Sequence, residues 1–313
     1  MIRRAGLLLA TGAGLVLLLS LLVHVGVDLL PGDAATARLG PNATPERVAE
    51  VRHRLGLDQP VLVRYGDWLS GVLRGDLGTS VTGKPVTEML SDRIGNSVVL
   101  TAVTLVLLVP LSLGLGVLAA TRGGRPISAG ALLLVSVPEF AIAGGLALVF
   151  AVTLRWLPAV SLIPLGDSPL THPDALVLPV LSLLAVGLSY SVRAIRSAAV
   201  TAFGSPHVEF LRLNGISTRG VVRAAVVPAV LPVAVQVWLV TGVGLVGGGV
   251  LVEKVFGYPG IGELLVTSVQ TGDLPVVQAL VLVLGGAMLL ALAVADLAVV
   301  LLTPRLRTRA VAA

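Results

Sequence analysis

The chain has 313 residues, of which 55% are hydrophobic and only 12% charged, with mean hydropathy +0.97 and a net charge of +5. Soluble domains carry about 25% charged residues, so this composition excludes a water-soluble globular domain. With no Cys, a disulfide, a thiolate metal site and a cysteine nucleophile are excluded too.

A bilayer core requires about 20 mainly apolar residues per helix. Six stretches satisfy this and predict an all-α integral membrane protein with about six transmembrane helices. They run over Ala5–Leu30, Val98–Ala120, Ile127–Leu154 (interrupted by Glu139), Leu176–Val192, Ala224–Val252 and Leu274–Leu302 (containing Asp296). Arg3 and Arg4 precede the first stretch, as in a signal peptide. Its apolar run exceeds the roughly 7–15 residues of a signal core, so a retained anchor helix is expected, with Asp33-Ala34-Ala35 a weak cleavage candidate.

Lys and Arg in short loops set orientation. With the N-terminus inside, Arg122, Arg125, Arg193, Arg196, Arg212, Arg219, Arg223, Arg305, Arg307 and Arg309 all fall inside, whereas the later outside loops hold only Arg155 and Lys254. The expected organisation is an anchor helix over 1–30, an extracytoplasmic loop over 31–97 and a five-helix core over 98–302. The core carries a cytoplasmic loop at 193–223, and a cytoplasmic tail follows over 303–313. The long loop reads as folded. Thr44 caps a helix starting at Pro45, with Val48, Val51 and Leu55 on one face and Gly56 as its stop. A second helix starts near Pro60, with Val61, Tyr65, Trp68, Leu69 and Val72 as its apolar stripe. It is either a packed cap or a docking surface for an external partner. The Gly-rich run Gly242–Gly249 predicts close helix packing.

No catalytic constellation, metal site or cofactor motif is found. Gly78-Thr-Ser-Val-Thr-Gly83-Lys84-Pro85 nearly fits a phosphate-binding loop, but Pro85 replaces the hydroxyl that would hold magnesium. His24, His53, His172 and His207 are scattered. If ATP drives this protein, another chain must hydrolyse it.

Two blocks carry chemistry of another kind. Glu209-Phe-Leu-Arg-Leu-Asn-Gly215, followed by Val227-Pro228, resembles the cytoplasmic motif of binding-protein-dependent importer permeases. Phe210 and Leu211 replace its two alanines, and Ala225 replaces an isoleucine. Glu253-Lys-Val-Phe256-Gly-Tyr-Pro259-Gly260-Ile-Gly262, then Asp273-Leu-Pro275, resembles the loop before the last helix of the dipeptide/oligopeptide/nickel permeases. Leu30-Pro-Gly-Asp33, Arg54-Leu-Gly-Leu-Asp58-Gln-Pro60, Gly75-Asp-Leu-Gly-Thr-Ser80, Ser136-Val-Pro138-Glu-Phe140, Asp296 and Thr303-Pro-Arg305 are similar to further blocks of that family, in order along nearly the whole chain.

The resemblance implies a permease subunit of an ATP-driven importer in the cytoplasmic membrane, moving peptides or a related small solute such as nickel. It implies a second homologous permease, two cytoplasmic ATPase subunits and an extracytoplasmic solute-binding protein as partners. It assigns ATPase coupling to Glu209, Phe210, Leu211, Arg212, Gly215 and Pro228, and a gate or pathway role to Glu253, Phe256, Pro259, Gly260 and Gly262. Glu139, a charge near the middle of an apolar segment, is expected to face the pathway or the partner permease rather than lipid. Asp296 is expected to be structural. Met89, Trp68 and Trp156 read as packing or interface anchors. The rival classes are an ion-driven secondary transporter and a membrane-embedded enzyme. The first would carry several intramembrane acids or a broken-helix pair, and the second a clustered nucleophile or metal set.

Overall fold

A computed structural model describes residues 2–28, 39, 44–54, 58–121, 123–164 and 166–302, apart from the side chains of 2–9, 27, 28, 51, 54 and 296–302. The blocks at Leu30–Asp33 and Leu55–Leu57, the side chain of Asp296, and the tail from Thr303 onward lie outside the described residues. The architecture is all-α. Helix α1 spans Ile2–Asp28, α2 Pro45–Arg54, α3 Val61–Leu73, α4 Val86–Ala119, α5 Arg125–Val135 and α6 Glu139–Leu146. Then come α7 over Pro173–Phe203, α8 over Pro206–Leu213, α9 over Thr218–Val221, α10 over Val227–Phe256, α11 over Ile261–Gln270 and α12 over Leu274–Leu302. The only bridge among the described residues is a single pair, Thr79 with Pro85.

Among the described residues, four helical stretches are long and apolar enough to cross a membrane: Val86–Ala119, Pro173–Phe203, Thr218–Phe256 and Leu274–Ala295. The bent pair α5 and α6 makes a fifth if it counts as one span, and α1 contributes the apolar stretch Ala10–Gly26. The described parts of the predicted apolar segments all become helix; α7 runs on to Phe203, past the expected end at Val192 and into the stretch expected as a loop over 193–223, and two other segments differ. The third is broken at Ser136-Val137-Pro138, and its halves meet at 106°. Pro138 removes a backbone donor and pushes Val137 out of the helical region, which ends α5 there. Glu139 thus opens a second helix instead of standing mid-way along a continuous one.

The second difference is that α4 starts at Val86, well before Val98. The extra turns are amphipathic. Val86 and Leu90 are buried against Ile261, Leu264, Val276 and Leu280, while Arg93, Asn96 and Ser97 form a polar face used below.

The centre of the bundle is α7, held by α4 on one side and α10 on another. Small residues let these helices approach. A Cβ on Gly116 would lie 2.5 Å from Ile195 Cγ2, and one on Gly187 would lie 3.0 Å from Leu108 Cδ1. Without water to repel apolar surface, such close packing and a few polar links hold helices together. The links include Trp238 Nε1 donating to Ser112 Oγ at 2.8 Å and Ser191 Oγ with Thr241 Oγ1 at 3.2 Å. Arg196 Nε donates to the Ala119 carbonyl at the C-terminus of α4, 3.1 Å away, where a cation also suits the helix dipole. Helix α12 packs on α1 and α10.

Candidate functional site: two helix joints and an acid-bearing cavity

The residues singled out in the sequence fall into three places. The first is the loop after α7. Ser205 accepts from Val208 N at 3.4 Å, and Pro206 fills the first turn of α8, as their residue types predict. The helix stops in a Schellman motif: Gly215 N donates to Arg212 O at 3.0 Å, and Ile216 N to Leu211 O at 3.1 Å, with Gly215 at φ 75°. Val208 is fully buried, in a cluster with Ile195, Val221, Val226 and Val230, so α8 is clamped to the ends of α7 and α10. Its other face is bare. Phe210 is 61% and Leu213 81% exposed, with Glu209 and Arg212 beside them, also exposed. Arg212 lies over the Phe203 ring at 5.8 Å, and no ion pair joins it to Glu209 among the described residues. Leu211 is half-buried. Pro228 is exposed just beyond a π-helical turn, Val222–Val226. Lacking an N–H, it cannot continue the regular hydrogen-bond ladder there.

The second place is the joint between α10 and α11. Glu253 is only 3% exposed, and its carboxylate accepts from Ser97 Oγ at 2.6 Å, Gly262 N at 2.7 Å and Glu263 N at 3.3 Å. A carboxylate there caps the free N–H groups of α11. Ser97 Oγ in turn accepts from Ile261 N at 2.9 Å. Asn96 Nδ2 donates to Pro259 O at 2.8 Å, and the Tyr258 hydroxyl to Asn96 O at 2.7 Å. The glycines are steric necessities. A Cβ on Gly260 would sit 2.3 Å from the Glu253 carboxyl, and one on Gly262 2.3 Å from Val250 Cα. Gly257, at φ 58°, turns the chain out of α10. Phe256 and Tyr258 are wholly buried in the central apolar cluster with Leu100, Leu178 and Leu183. Burial pushes the Tyr258 hydroxyl above the ordinary phenol range, and the nearby Glu253 adds to this.

Around this joint runs a charged border that the sequence reading missed. Arg93 Nη1 lies 2.5 Å from Glu263 Oε2, Thr267 Oγ1 donates to Glu263 Oε1 at 2.8 Å, and Lys254 Nζ donates to Thr267 Oγ1 at 3.0 Å. Partial burial raises the Glu263 pKa, but the bonds from Thr267 and Arg93 and the charges of Arg93 and Lys254 outweigh it and hold the carboxyl below its ordinary value. The Gly75–Ser80 and Asp273–Pro275 blocks, far apart in sequence, also meet. Ser80 Oγ donates to the buried Asp273 Oδ2 at 2.5 Å, and Val81 N to the same oxygen at 3.3 Å. The near-match to a phosphate loop is therefore a tight turn docked on the start of α12.

The third place is Glu139, which joins neither group. Its carboxyl packs where a Cβ on Gly248 would stand, 2.6 Å away, so Gly248 of α10 makes room for the acid. Glu139 borders a largely apolar cavity of about 310 Å³ between α6, α7 and α10, lined also by Val186, Gly187, Tyr190, Val240 and Leu245.

This fold, with apolar helices long enough to span a bilayer and no cluster of three or more metal-ligating side chains among the described residues, defines a multi-pass helical membrane protein. The chain belongs to the family described as the inner membrane component of binding-protein-dependent transport systems, matched over residues 109–308, and its residues 1–101 match the N-terminal part of such membrane components. It is similar to a putative peptide transport system permease of Brucella abortus (strain 2308), 34% identical over 301 residues, covering 93% of this chain and 94% of that protein. The probable peptide ABC transporter permease of Sinorhizobium fredii is 32% identical over 298 residues, again 93% and 94% of the two chains. The glutathione transport system permease of Salmonella typhimurium (strain LT2) is 36% identical over 297 residues, with the same coverage. The chain is a permease subunit of an ABC importer, as the sequence motifs imply, and nothing in the comparisons supports the ion-driven transporter.

Proposed function

We propose that this permease moves peptides, or a small peptide-like solute, through a pathway it builds with a second homologous permease. Two ATPase subunits dock from the cytoplasm, one of them on α8, and an extracytoplasmic binding protein delivers the solute at the opposite face. The relatives' names support peptides over nickel. The observation that carries the reading is α8 itself. It is a short helix clamped by Val208 to the ends of two spanning helices, and it presents Phe210 and Leu213 to the surroundings. Apolar side chains held out in this way need a cover, and helix-in-groove docking is the mode that fits an apolar helix face. Glu209 and Arg212 border that face and set its charge. Motion of an ATPase groove would pass through Val208 into α7 and α10.

In the same reading the Glu253–Gly262 joint is a gate support on the far face, Glu139 faces the pathway, and both termini are cytoplasmic. The chain hydrolyses no ATP itself, since its near-match to a phosphate loop is spoiled by Pro85. Substrate uptake and stimulated ATP hydrolysis, measured together in vesicles reconstituted with all subunits, test the assignment. Gly215→Val and Glu209→Lys are expected to uncouple hydrolysis from uptake. Normal values of both in both variants would remove α8 from the coupling role. Cysteines placed at Asp58 and Asn214 are expected to label from opposite sides of the membrane.

A further inference from the structure

Helix α3 carries three distinct stripes. Val61, Tyr65, Trp68 and Val72, spaced at helical period, form one. The Tyr65 hydroxyl donates to Leu17 O of α1 at 3.1 Å and pairs with Ser20 Oγ at 2.7 Å, and its ring meets His24 edge-on at 5.6 Å. A second stripe, Leu62, Leu69 and Leu73, is largely uncovered: Leu62 is 69% and Leu73 83% exposed, with Leu69 half-buried between them. The third holds Asp67, Ser70 and, at the C-cap, Arg74, with Val63 the apolar exception.

The height of α3 along the bundle says what covers the bare leucines. Helices α1 and α12 run antiparallel. Val16 packs where a Cβ on Gly285 would stand, Leu289 where one on Gly12 would stand, and His24 bonds Gln278. Gln278 lies four residues into the apolar span that begins at Leu274, about 6 Å at 1.5 Å per residue. Ser20 lies eight residues before the last residue of α1, Asp28, about 12 Å. Both markers place the α1 contact of α3 below the ends of the spanning helices. Amphipathic helices that lie on a membrane sit about 5–10 Å into the headgroup and acyl boundary. The neighbouring surface of α1 at the same height is also bare, with Leu18 52% and Leu22 59% exposed.

We propose that α3 is an interfacial helix lying in the bilayer surface beside α1, with Leu62, Leu69 and Leu73 among lipid acyl chains and Asp67, Ser70 and Arg74 turned to the headgroups and water. The long loop between α1 and α4 is then anchored to lipid at α3. The remaining loop residues, not the leucine stripe, are left for soluble partners.

The chain has no native cysteine, so single nitroxide labels can be placed at Leu62→Cys, Leu73→Cys, Asp67→Cys and Arg74→Cys in the complete importer, with cysteine-free partner subunits, in phosphatidylcholine/phosphatidylglycerol nanodiscs. The expected result is an oxygen-to-nickel-chelate accessibility ratio several-fold higher at 62 and 73 than at 67 and 74. A bimane at 62 or 73 should also be quenched by lipids brominated near the headgroup end of the acyl chain. Equal access of the water-soluble chelate to all four positions would overturn the proposal, leaving α3 above the membrane. So would positions 62 and 73 shielded from both reagents and unquenched by bromolipid, because a protein surface would then cover the leucines. All four labels are on exposed side chains, and retained uptake by the labelled complexes confirms that they are folded.

Discussion

At the Glu253 joint the chain closes on itself, whereas at α8 it stays open. Both turn the chain between helices with Pro and Gly, and both end a helix on a glycine with positive φ, Gly257 and Gly215. The Glu253 joint buries a carboxylate that takes three hydrogen bonds, and it tolerates no Cβ at Gly260 or Gly262. At α8, Gly215 has open space around it, and the helix shows its apolar side chains outward. The first is therefore determined from within the chain. The second leaves Phe210 and Leu213 exposed. Similar motifs can thus mark a point that must not move or a surface that must be met, and steric room around the glycine separates the two.

Four substitutions or conditions break or sharpen this contrast. Glu253→Ala removes the acceptor of Ser97, Gly262 and Glu263, leaving buried donors unpaired, and is expected to cost about 2–5 kcal/mol. The check is thermal unfolding in detergent, and association with the ATPase should be lost only through unfolding. Phe210→Ser with Leu213→Ser is expected to do the reverse. Unfolding should stay within about 0.5 kcal/mol of wild type, while ATPase-subunit affinity falls at least about tenfold, roughly 1.4 kcal/mol, measured on nanodisc-bound permease. Gly215→Ala forces a Cβ into a left-handed residue without a clash, so it should cost only about 1–2 kcal/mol, far less than Gly262→Ala at the closed joint.

The smallest effect is a pH dependence. Glu263 has its carboxyl held below the ordinary 4.5. Its contribution to stability is therefore fully present above that value and is lost as pH falls through the lowered pKa. Arg93→Gln should remove part of this acid sensitivity, read as a shallower loss of melting temperature between neutral and acidic buffer.

Much of this was legible in the sequence. The apolar runs mark the helices, and Ser205, Pro206 and Gly215 mark both ends of α8 because capping is local chemistry. The stripe of α3 was readable from helical period. The break at Pro138 was also signalled locally, by a proline inside an apolar run, but apolarity masked it: both halves satisfy the same count. The early start of α4 was hidden because Arg93, Asn96 and Ser97 look like loop residues until their partners are known. Those partners, Glu263, Pro259 and Glu253, lie more than 150 residues away, and no spacing rule reaches that far. The Ser80–Asp273 link and the fit of Glu139 against Gly248 are of the same kind.

The central claim is that the open end of the contrast, α8, is where the ATPase docks. A photo-crosslinking amino acid at Phe210, in the complete importer within membranes, tests this most directly, with a second at Leu154 as a control on a different apolar exposed surface. Light-dependent adducts between position 210 and an ATPase subunit are expected, weakened by the neighbouring Leu213→Ser, with no ATPase adduct from position 154. Adducts from 210 only to lipid or to the binding protein, in a complex that still transports, would contradict it.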